Sequence, residues 1–357
     1  MIYKQLSYLP IIFQVDENVI YGTQEFLKRN NLNFSKVIVV SGQSHSRDYA
    51  FQLIGTKPWE SYIITDNTFE EVEKLKSHIL RNHYDLVIAI GGGKVLDTVK
   101  RVGYLININH LSIPTIISND GLISPISVIK NEYGKTESIP GMMPMGVVID
   151  LNIIQNSPIN YIRAASGDIL SNISATNDWV LAYQMSMDDI NDIGFHLSRS
   201  AANALLYFNQ IDLKFKPFLR MVIQGQINSG IAMSLAGTSR PCSGSEHLIS
   251  HAISYLGLMD DVLHGIQVAS ISLFTLFLQG KLLDIHLHYA RATGIPLNFT
   301  ALLQNPDKEL LTKIYHLSKQ MRPGRYTILN EINEETFMKR IVEYQQYLIE
   351  SAPNLVL

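Results

Sequence analysis

The sequence predicts an α/β domain followed by an all-helical domain. Short apolar runs alternate with amphipathic stretches up to about residue 150, which is typical of an open, mostly parallel sheet with helices on both faces. From about residue 156 long helical patterns dominate and strand-like runs are few. Asn156-Ser157-Pro158 favours a break in the chain, because Pro suits the start of a helix. We therefore predict domains over 1–155 and 156–357, with the active site in the cleft between them.

Composition excludes several classes of protein. The 357 residues are 46% hydrophobic and 17% charged, as in soluble globular proteins, and the formal net charge of −3 gives no electrostatic reason to bind nucleic acid or an anionic membrane. Cys242 is the only cysteine, so neither an intrachain disulfide nor a thiolate metal site is expected. The N-terminus does not resemble a signal peptide, and the apolar run Val268–Leu278 is too short to span a bilayer. We expect a cytoplasmic protein without membrane insertion.

The first domain contains short β-branched runs that end in turn residues, which indicates buried parallel strands. The predicted strands are Lys36–Val40, Ser61–Thr65, Asp85–Ile90, His110–Pro114 and Met145–Ile149. Phe69–Asn82 has helical spacing with its charges opposite the apolar face, and Val95–Val102 is also predicted to be helical.

The second domain is predicted to consist of long helices. They are Ala164–Met185, Phe195–Tyr207, Lys216–Ala236, Glu246–Leu256, Gly265–Gly280 and Glu335–Ser351.

A glycine triplet follows the third predicted strand directly, in the run Gly91-Gly92-Gly93-Lys94-Val95-Leu96-Asp97. Glycines at a strand-to-helix turn let backbone N–H groups approach a pyrophosphate, and the helix dipole favours the negative charge. The run is neither GxGxxG nor a P-loop, so a simple tight turn is the alternative. Asp97 is expected either to bind a cofactor or to stabilise the first helical turn.

A second polar segment, residues 113–125, follows the strand His110–Pro114. It contains Asp120-Gly121 and Ser124-Pro125, and it lies at the carboxyl edge of the predicted sheet, where open α/β sheets bind ligands. Because Asp-Gly is itself a strong turn signal, a turn without a ligand is the alternative.

Two segments of the helical domain carry candidate metal ligands. Asp168 lies inside a largely apolar helix, where it either caps backbone donors or needs a cation. His247 and His251 are one helical turn apart, and His264 follows in the same region. Neutral imidazole is the commonest metal ligand, but spacing alone does not distinguish these histidines from hydrogen-bonded side chains.

Four runs in this order resemble the metal-dependent polyol dehydrogenase superfamily, which includes iron-containing alcohol dehydrogenases, glycerol dehydrogenase and dehydroquinate synthase. They are GGGKVLD, IPTIISNDGLISP, SGDILSNISATNDW and SRPCSGSEHLISHA. The sn-glycerol-1-phosphate dehydrogenase branch is the closest match, over about Val37 to Pro296. The resemblance implies a Rossmann-like nucleotide-binding domain and an all-helical metal and substrate domain (the dehydroquinate synthase-like fold), and a homo-oligomer.

The resemblance also implies the cofactors and the roles of individual residues. The cofactors are one divalent metal (Zn²⁺, or Ni²⁺ or Fe²⁺) and NAD(H) or NADP(H). Asp168, His247 and His264 match the metal ligands, and Asp120 and His251 match substrate-contacting, catalytic positions. The cofactor contacts are Gly91, Gly92, Gly93, Lys94, Val95, Leu96, Asp97, Thr115, Ser118 and Ser124. The branch reduces dihydroxyacetone phosphate to glycerol 1-phosphate; glycerol or another polyol, and a sugar-phosphate cyclase reaction, are the alternatives.

Particular positions refine this expectation. Iron-type alcohol dehydrogenases place a His four residues after the ligand Asp, where this chain has Asn172, so a three-ligand site is favoured. Ser41-Gly42 lacks the acidic residue that repels a 2′-phosphate, so NADPH should be tolerated. Arg240 and the helix start at 243–245 are predicted to hold the substrate phosphate.

Three departures from the branch pattern bear on the substrate. Asn119 replaces a His, Ile266 lies in a step that usually contains Glu, and Cys242 replaces an Ala. Asn119 and Ile266 are near enough to the predicted site to permit a different small keto- or hydroxy-phosphate.

Overall fold

The computed structural model describes residues 9–304 and 306–351, so the outermost ends of both predicted domains lie outside the described residues. The chain divides into two compact units after Pro158, whereas the sequence analysis places the break between residues 155 and 156. Within the described ranges, none of the helices combines the length and apolar character needed to cross a lipid bilayer.

The first unit contains a six-stranded sheet and a separate hairpin. Its strands are β1 (Ile12–Asp16), β2 (Val37–Ser41), β3 (Glu60–Ile63), β4 (Leu86–Gly91), β5 (His110–Pro114), β6 (Ile126–Lys130), β7 (Thr136–Pro140) and β8 (Gly146–Asp150). The spatial order in the sheet is β1-β8-β5-β4-β2-β3 with all neighbours parallel, and β6 and β7 form the antiparallel hairpin. This confirms the predicted parallel α/β sheet.

The helices of the first unit connect and cover these strands. They are α1 (Thr23–Arg29), α2 (His45–Ile54), α3 (Phe69–Asn82), α4 (Gly93–Ile106) and α5 (Leu151–Asn156). Helix α3 has the predicted bounds because both ends are well marked: the Thr68 side chain accepts a hydrogen bond from the N–H of Glu71, and His83 ends the helix with φ of 56°. Helix α4 begins at Gly93, two residues before the predicted start, so the glycine triplet runs directly into its first turn.

Burial accounts for four of the five strands that were predicted from the sequence. Every residue of β2, β4, β5 and β8 is buried, and these strands are mainly apolar in the sequence. The strands β1, β6 and β7 were not predicted: β1 and β6 are only partly buried, and β7 is largely exposed. Strand β3 was predicted although none of its residues is fully buried.

The second unit is helical throughout its described residues. Its helices are α6 (Ile159–Gln184), α7 (Asp192–Leu206), α8 (Lys216–Ala236), α9 (Ser245–Tyr255), α10 (His264–Leu278), α11 (Asp284–Thr293), α12 (Phe299–Leu302), α13 (Lys308–Ser318), α14 (Ile328–Glu331) and α15 (Glu334–Ser351). The six predicted helices are present, and α8 has the predicted bounds. Helices α11 to α14 were not predicted; α12 and α14 have only four residues each, which is too few to show helical periodicity.

Helix α6 is the central element of this unit, and small and polar side chains fix its register against its neighbours. The hydroxyl oxygens of Ser174 on α6 and Thr275 on α10 are 2.6 Å apart. On the side that faces α8, Gln226 donates its side-chain N–H to the carbonyl oxygen of Ala165 at 2.7 Å. Buried polar groups that find such partners define one packing arrangement, so the axial position of each helix is set.

Candidate metal centre and dinucleotide site

Three side chains from three different helices converge in the helical unit. Asp168 of α6, His247 of α9 and His264 of α10 each offer one ligand atom, and these atoms lie within 4.8 Å of one another. One carboxylate oxygen and two imidazole nitrogens suit a divalent transition metal such as zinc, and three protein ligands leave a position open for a substrate. The residues predicted as ligands are therefore brought together by the fold, and their chemistry fits a metal.

The close crossing of α6 and α10 brings two of these ligands together. A β-carbon on Gly265 would overlap the carbonyl oxygen of Ala164, and one on Gly167 would lie 2.6 Å from the carbonyl oxygen of Gly265. Side chains at either position would push the helices apart. Because Gly167 precedes Asp168 and Gly265 follows His264, the glycine contact sets the separation of these two ligands.

His247 is held by a buried carboxylate. Its Nδ1 lies 2.8 Å from Oε1 of Glu246, which is fully buried and also accepts the N–H of Gly244 at 2.6 Å. This leaves Nε2 of His247 as the nitrogen that is available to a metal, in the carboxylate–histidine arrangement common at metal sites. Sequence reasoning did not single out Glu246, although it directly precedes a predicted ligand.

The environment keeps the imidazoles neutral. Burial lowers the pKa of His247 and that of His264 to about 3, so both rings keep a free lone pair at neutral pH. The ring of His251 is nearly parallel to that of His264, with centroids 6.1 Å apart, but His251 is not among the three converging residues. Its predicted role outside the metal ligands stays a prediction.

The predicted anion site at the start of α9 is occupied by protein groups. The N–H of Ser245 is bonded to Oδ2 of Asp178 at 2.7 Å, while that of Gly244 is bonded to Glu246. Arg240 is also committed, because its Nε donates to Asp188 at 2.7 Å and its Nη1 to the carbonyl oxygen of Tyr326 at 2.6 Å. These protein partners compete with a phosphate for Arg240 and for the two N–H groups, and the expectation that they hold a phosphate stays a prediction.

Asn172 has a packing role. Its side chain is buried one turn after Asp168 and donates to the hydroxyl of Ser229 on α8 at 2.9 Å. The position that is a His in iron-type alcohol dehydrogenases thus serves helix packing in this chain.

In the first unit, close packing accounts for two glycines of the triplet. A β-carbon on Gly91 would lie 2.6 Å from a methyl of Val95, and one on Gly92 would lie 2.9 Å from Cδ1 of Ile116. A β-carbon on Gly93 would have room, since its nearest neighbour is Oδ2 of Asp97 at 3.8 Å. Close packing within this unit therefore does not explain Gly93, which begins α4 where backbone N–H groups would meet a pyrophosphate.

The triplet lies at a switch point of the sheet. Strand β2 pairs with β3 on one side and with β4 on the other, so the chain changes direction across the sheet between β2 and β4. Open α/β sheets bind ligands outside the carboxyl ends of such strands. Gly42 follows β2, and a β-carbon there would lie 3.6 Å from Val95, so the two turns adjoin.

The remaining predicted cofactor residues differ in their accessibility. Val95 and Leu96 are buried core residues, so a cofactor could contact only their backbone, whereas the Lys94 side chain is exposed, with its Nζ 3.5 Å from Asp66. The N–H of Thr115 donates to the carbonyl oxygen of Gly91 at 3.0 Å, which ties the β5 turn to the glycine turn. Ser118 is half-buried nearby.

A buried lysine, Lys100, lies beside the carboxylate of Asp97 and affects that of Asp120. The sequence analysis did not single it out. The Lys100 side chain is fully buried, and its Nζ lies 2.9 Å from Oδ1 of Asp97 and also bonds the carbonyl oxygen of Ile126. Burial raises the pKa of Asp120 to about 6, while the charge of Lys100 and a hydrogen bond from Ser124 oppose the rise. The three-residue spacing of Asp97 and Lys100 on an apolar helix face was the available signal.

Comparisons with known proteins agree with this arrangement. A family model described as iron-containing alcohol dehydrogenase matches residues 14–158. The glycerol dehydrogenase structure from Schizosaccharomyces pombe superposes with a TM-score of 0.77 at 16% identity, covering 98% of this chain and 94% of that one. The fold is therefore that of the dehydroquinate synthase-like, iron-type dehydrogenases.

Proteins of similar sequence identify the family of this chain within that fold. The glycerol-1-phosphate dehydrogenase [NAD(P)+] of Archaeoglobus fulgidus is 31% identical over 91% of this chain and 93% of its own length. The enzyme of the same name from Pyrococcus furiosus is 34% identical over 88% of this chain and 90% of its own. The chain belongs to the glycerol-1-phosphate dehydrogenase family.

Proposed function

We propose that this protein is a metal- and NAD(P)H-dependent dehydrogenase that reduces dihydroxyacetone phosphate to glycerol 1-phosphate. The convergence of Asp168, His247 and His264 carries the proposal, because an open three-ligand site is what carbonyl reduction by this class of enzyme requires. The relatives named glycerol-1-phosphate dehydrogenase [NAD(P)+] support the choice of substrate.

The helical unit would hold the metal, with Glu246 orienting His247 through Nδ1. A divalent ion bound there supplies Lewis acidity, which polarises the substrate carbonyl. Zinc is the proposed ion, with nickel and iron as alternatives, because imidazole and carboxylate ligands suit all three.

The α/β unit would hold the dinucleotide. The turn that includes Gly93 and the first turn of α4 would receive the pyrophosphate, and Thr115 and Ser118 would contact the cofactor from the neighbouring strand end. A nicotinamide held there would supply the hydride for the carbonyl carbon, and the substrate oxygen would need a proton from groups of this chain.

Asp120 and His251 are the proposed proton-handling and substrate-contacting groups. A carboxyl with a pKa of about 6 is partly protonated near neutral pH, so Asp120 can deliver a proton, directly or through water. His251 would contact the substrate beside the metal ligands.

The test is oxidation of NADH or NADPH by the metal-loaded protein with dihydroxyacetone phosphate. Turnover that depends on added zinc or nickel supports the proposal, and no turnover by metal-loaded protein refutes this substrate. Dihydroxyacetone tests the unphosphorylated alternative, and release of inorganic phosphate without net NADH oxidation would indicate a cyclase.

A matched pair of histidine variants tests the metal site. His264→Ala should abolish stoichiometric metal binding, whereas His288→Ala, at an exposed position of α11, should leave it unchanged. Full metal content in the His264→Ala protein would overturn the ligand assignment.

A further inference from the structure

Arg325 lies between α13 and α14 with a guanidinium that has only neutral partners. Its Nη1 donates to the carbonyl oxygen of Ser243 at 2.5 Å, and its Nη2 donates to Oγ of Ser239 at 2.9 Å. In the part of the chain that the structure describes, no carboxylate forms an ion pair with this group. Two of its five N–H groups are therefore used, and both are used on uncharged oxygens.

A second guanidinium meets the same hydroxyl. Nη1 of Arg322 donates to Oγ of Ser239 at 2.8 Å, so two positive groups share one buried oxygen atom. Burial lowers the pKa of Arg325 to about 9, the charges of Arg322 and Arg240 lower it further, and Glu246 and Asp188 oppose the shift. Arginines held together in this way repel one another, and an anion would relieve the repulsion.

The arginines are close to the candidate metal centre. Ser243, whose carbonyl oxygen Arg325 holds, lies four residues before His247 and two residues before α9. Arg325 therefore bonds the segment that leads directly into α9, the helix that carries the candidate ligand His247.

An unsatisfied hydroxyl lies beside them. Ser243 is 5% exposed, and its buried Oγ has no hydrogen-bond partner among the described residues. Buried hydroxyls rarely stay unpaired, so this one is an additional donor for a ligand.

We propose that Arg325, together with Arg322 and the hydroxyl of Ser243, binds the phosphate of the substrate; this rests on the proposed function and assigns the substrate-specificity site within it. The fork of an arginine matches the oxygens of a phosphate, and a buried charge without an acidic partner gains most from binding one. Arg240, which is bound to Asp188 and to Tyr326, instead supports the segment that carries Arg325.

Arg325→Gln tests the assignment, because glutamine can still donate a hydrogen bond to Ser243 while the charge is lost. The ratio of kcat/KM for dihydroxyacetone phosphate to that for dihydroxyacetone should fall by roughly 10- to 100-fold, as expected for losing charge-assisted hydrogen bonds. The loss should appear mainly in KM. Arg325→Lys should retain part of the ratio, and Arg81→Gln, at an exposed end of α3, should retain all of it.

Binding of inorganic phosphate provides a readout that does not need turnover. The metal-loaded wild-type protein should bind phosphate in a calorimetric titration without dinucleotide, and Arg325→Gln should bind it at least tenfold more weakly. Equal affinities, or no binding by the wild type, would overturn the assignment. If the wild type binds phosphate through Arg325 but does not reduce dihydroxyacetone phosphate, the anion site stands and the proposed reaction fails.

Discussion

The carbonyl oxygen of Gly265 lies 2.6 Å from the point where a β-carbon would stand on Gly167. Helices α6 and α10 therefore meet backbone to backbone at one point, and a candidate metal ligand adjoins the contact on each helix. The distance between Asp168 and His264 therefore depends on the absence of a β-carbon at Gly167 and at Gly265.

Gly265→Ala should therefore weaken metal binding although it changes no ligand. The added methyl would overlap the carbonyl oxygen of Ala164, and overpacking of this kind costs about 1–3 kcal/mol. If this cost is borne by the metal site, metal affinity should decrease roughly 5- to 150-fold. Competition with a chromophoric chelator would measure the change.

Gly22→Ala is the control for this variant, because a β-carbon at Gly22 has no atom within 4 Å. Its metal affinity should equal that of the wild type. Unchanged affinity in Gly265→Ala would mean that the helix crossing does not govern the site.

Glu246→Gln should also reduce metal affinity, by about tenfold or more, because losing an outer carboxylate makes the imidazole a weaker ligand. The variant keeps the size of the side chain, so the effect reports on the charge that faces Nδ1 of His247. The same chelator competition measures it. Glu309→Gln, on the exposed face of α13, should have no effect, and equal losses in both variants would contradict the role of Glu246.

His110 should make the protein less stable in acid. Burial lowers the pKa of this fully buried residue from 6.5 to about 3, so its contribution to stability is complete above pH 6.5 and is lost as the pH falls toward 3. Between pH 7.5 and pH 5, the wild type should lose about 2 kcal/mol more unfolding free energy than His110→Leu loses.

Urea unfolding at the two pH values measures this difference. His45→Leu, at the exposed start of α2, should show the wild-type pH dependence. Parallel pH profiles for the wild type and His110→Leu would show that His110 is protonated in the folded state as readily as in the unfolded one.

NADPH should be used with a kcat/KM within about tenfold of that for NADH. Strand β2 ends at Ser41 and Gly42 follows, so this strand end carries no carboxylate to repel a 2′-phosphate. Gly42→Asp should select against NADPH by at least about tenfold, because like charges placed together cost several kcal/mol. Its β-carbon would lie 3.2 Å from the hydroxyl of Ser46, which accepts the N–H of Gly42, so that hydroxyl must shift slightly. Equal use of both cofactors by the variant would show that β2 does not face the ribose.

The helices and strands that could be predicted from the sequence are those with a regular pattern of burial along their length. Strands β4 and β5 are buried along their whole length, and α3 has one apolar face and well-marked ends, so periodicity was sufficient. The edge strand β1 alternates less clearly, and α12 and α14 have only four residues each, so local patterns carried too little information.

The roles of charged residues were harder to predict from the sequence than the helices and strands, because these roles depend on the tertiary structure. Asp168 is 79 positions before His247, and only the resemblance connected them. Arg325 could not be distinguished from a surface residue, and the spacing of Asp97 and Lys100 did not by itself establish that Lys100 is buried, since burial of a charge depends on packing between distant segments. Arg240 was chosen for its position near α9, and its ion pair with Asp188 could not be read from the sequence.

The three candidate ligands come from α6, α9 and α10, so an ion bound to them would join helices that are separate in the chain. Mass action then makes metal a stabilising ligand of the helical unit, worth about 2.7 kcal/mol when its free concentration is 100 times its Kd. The melting temperature of the protein should therefore rise with the concentration of the ion that it prefers. Scans with zinc, nickel and iron would rank the candidate ions without any assay of turnover.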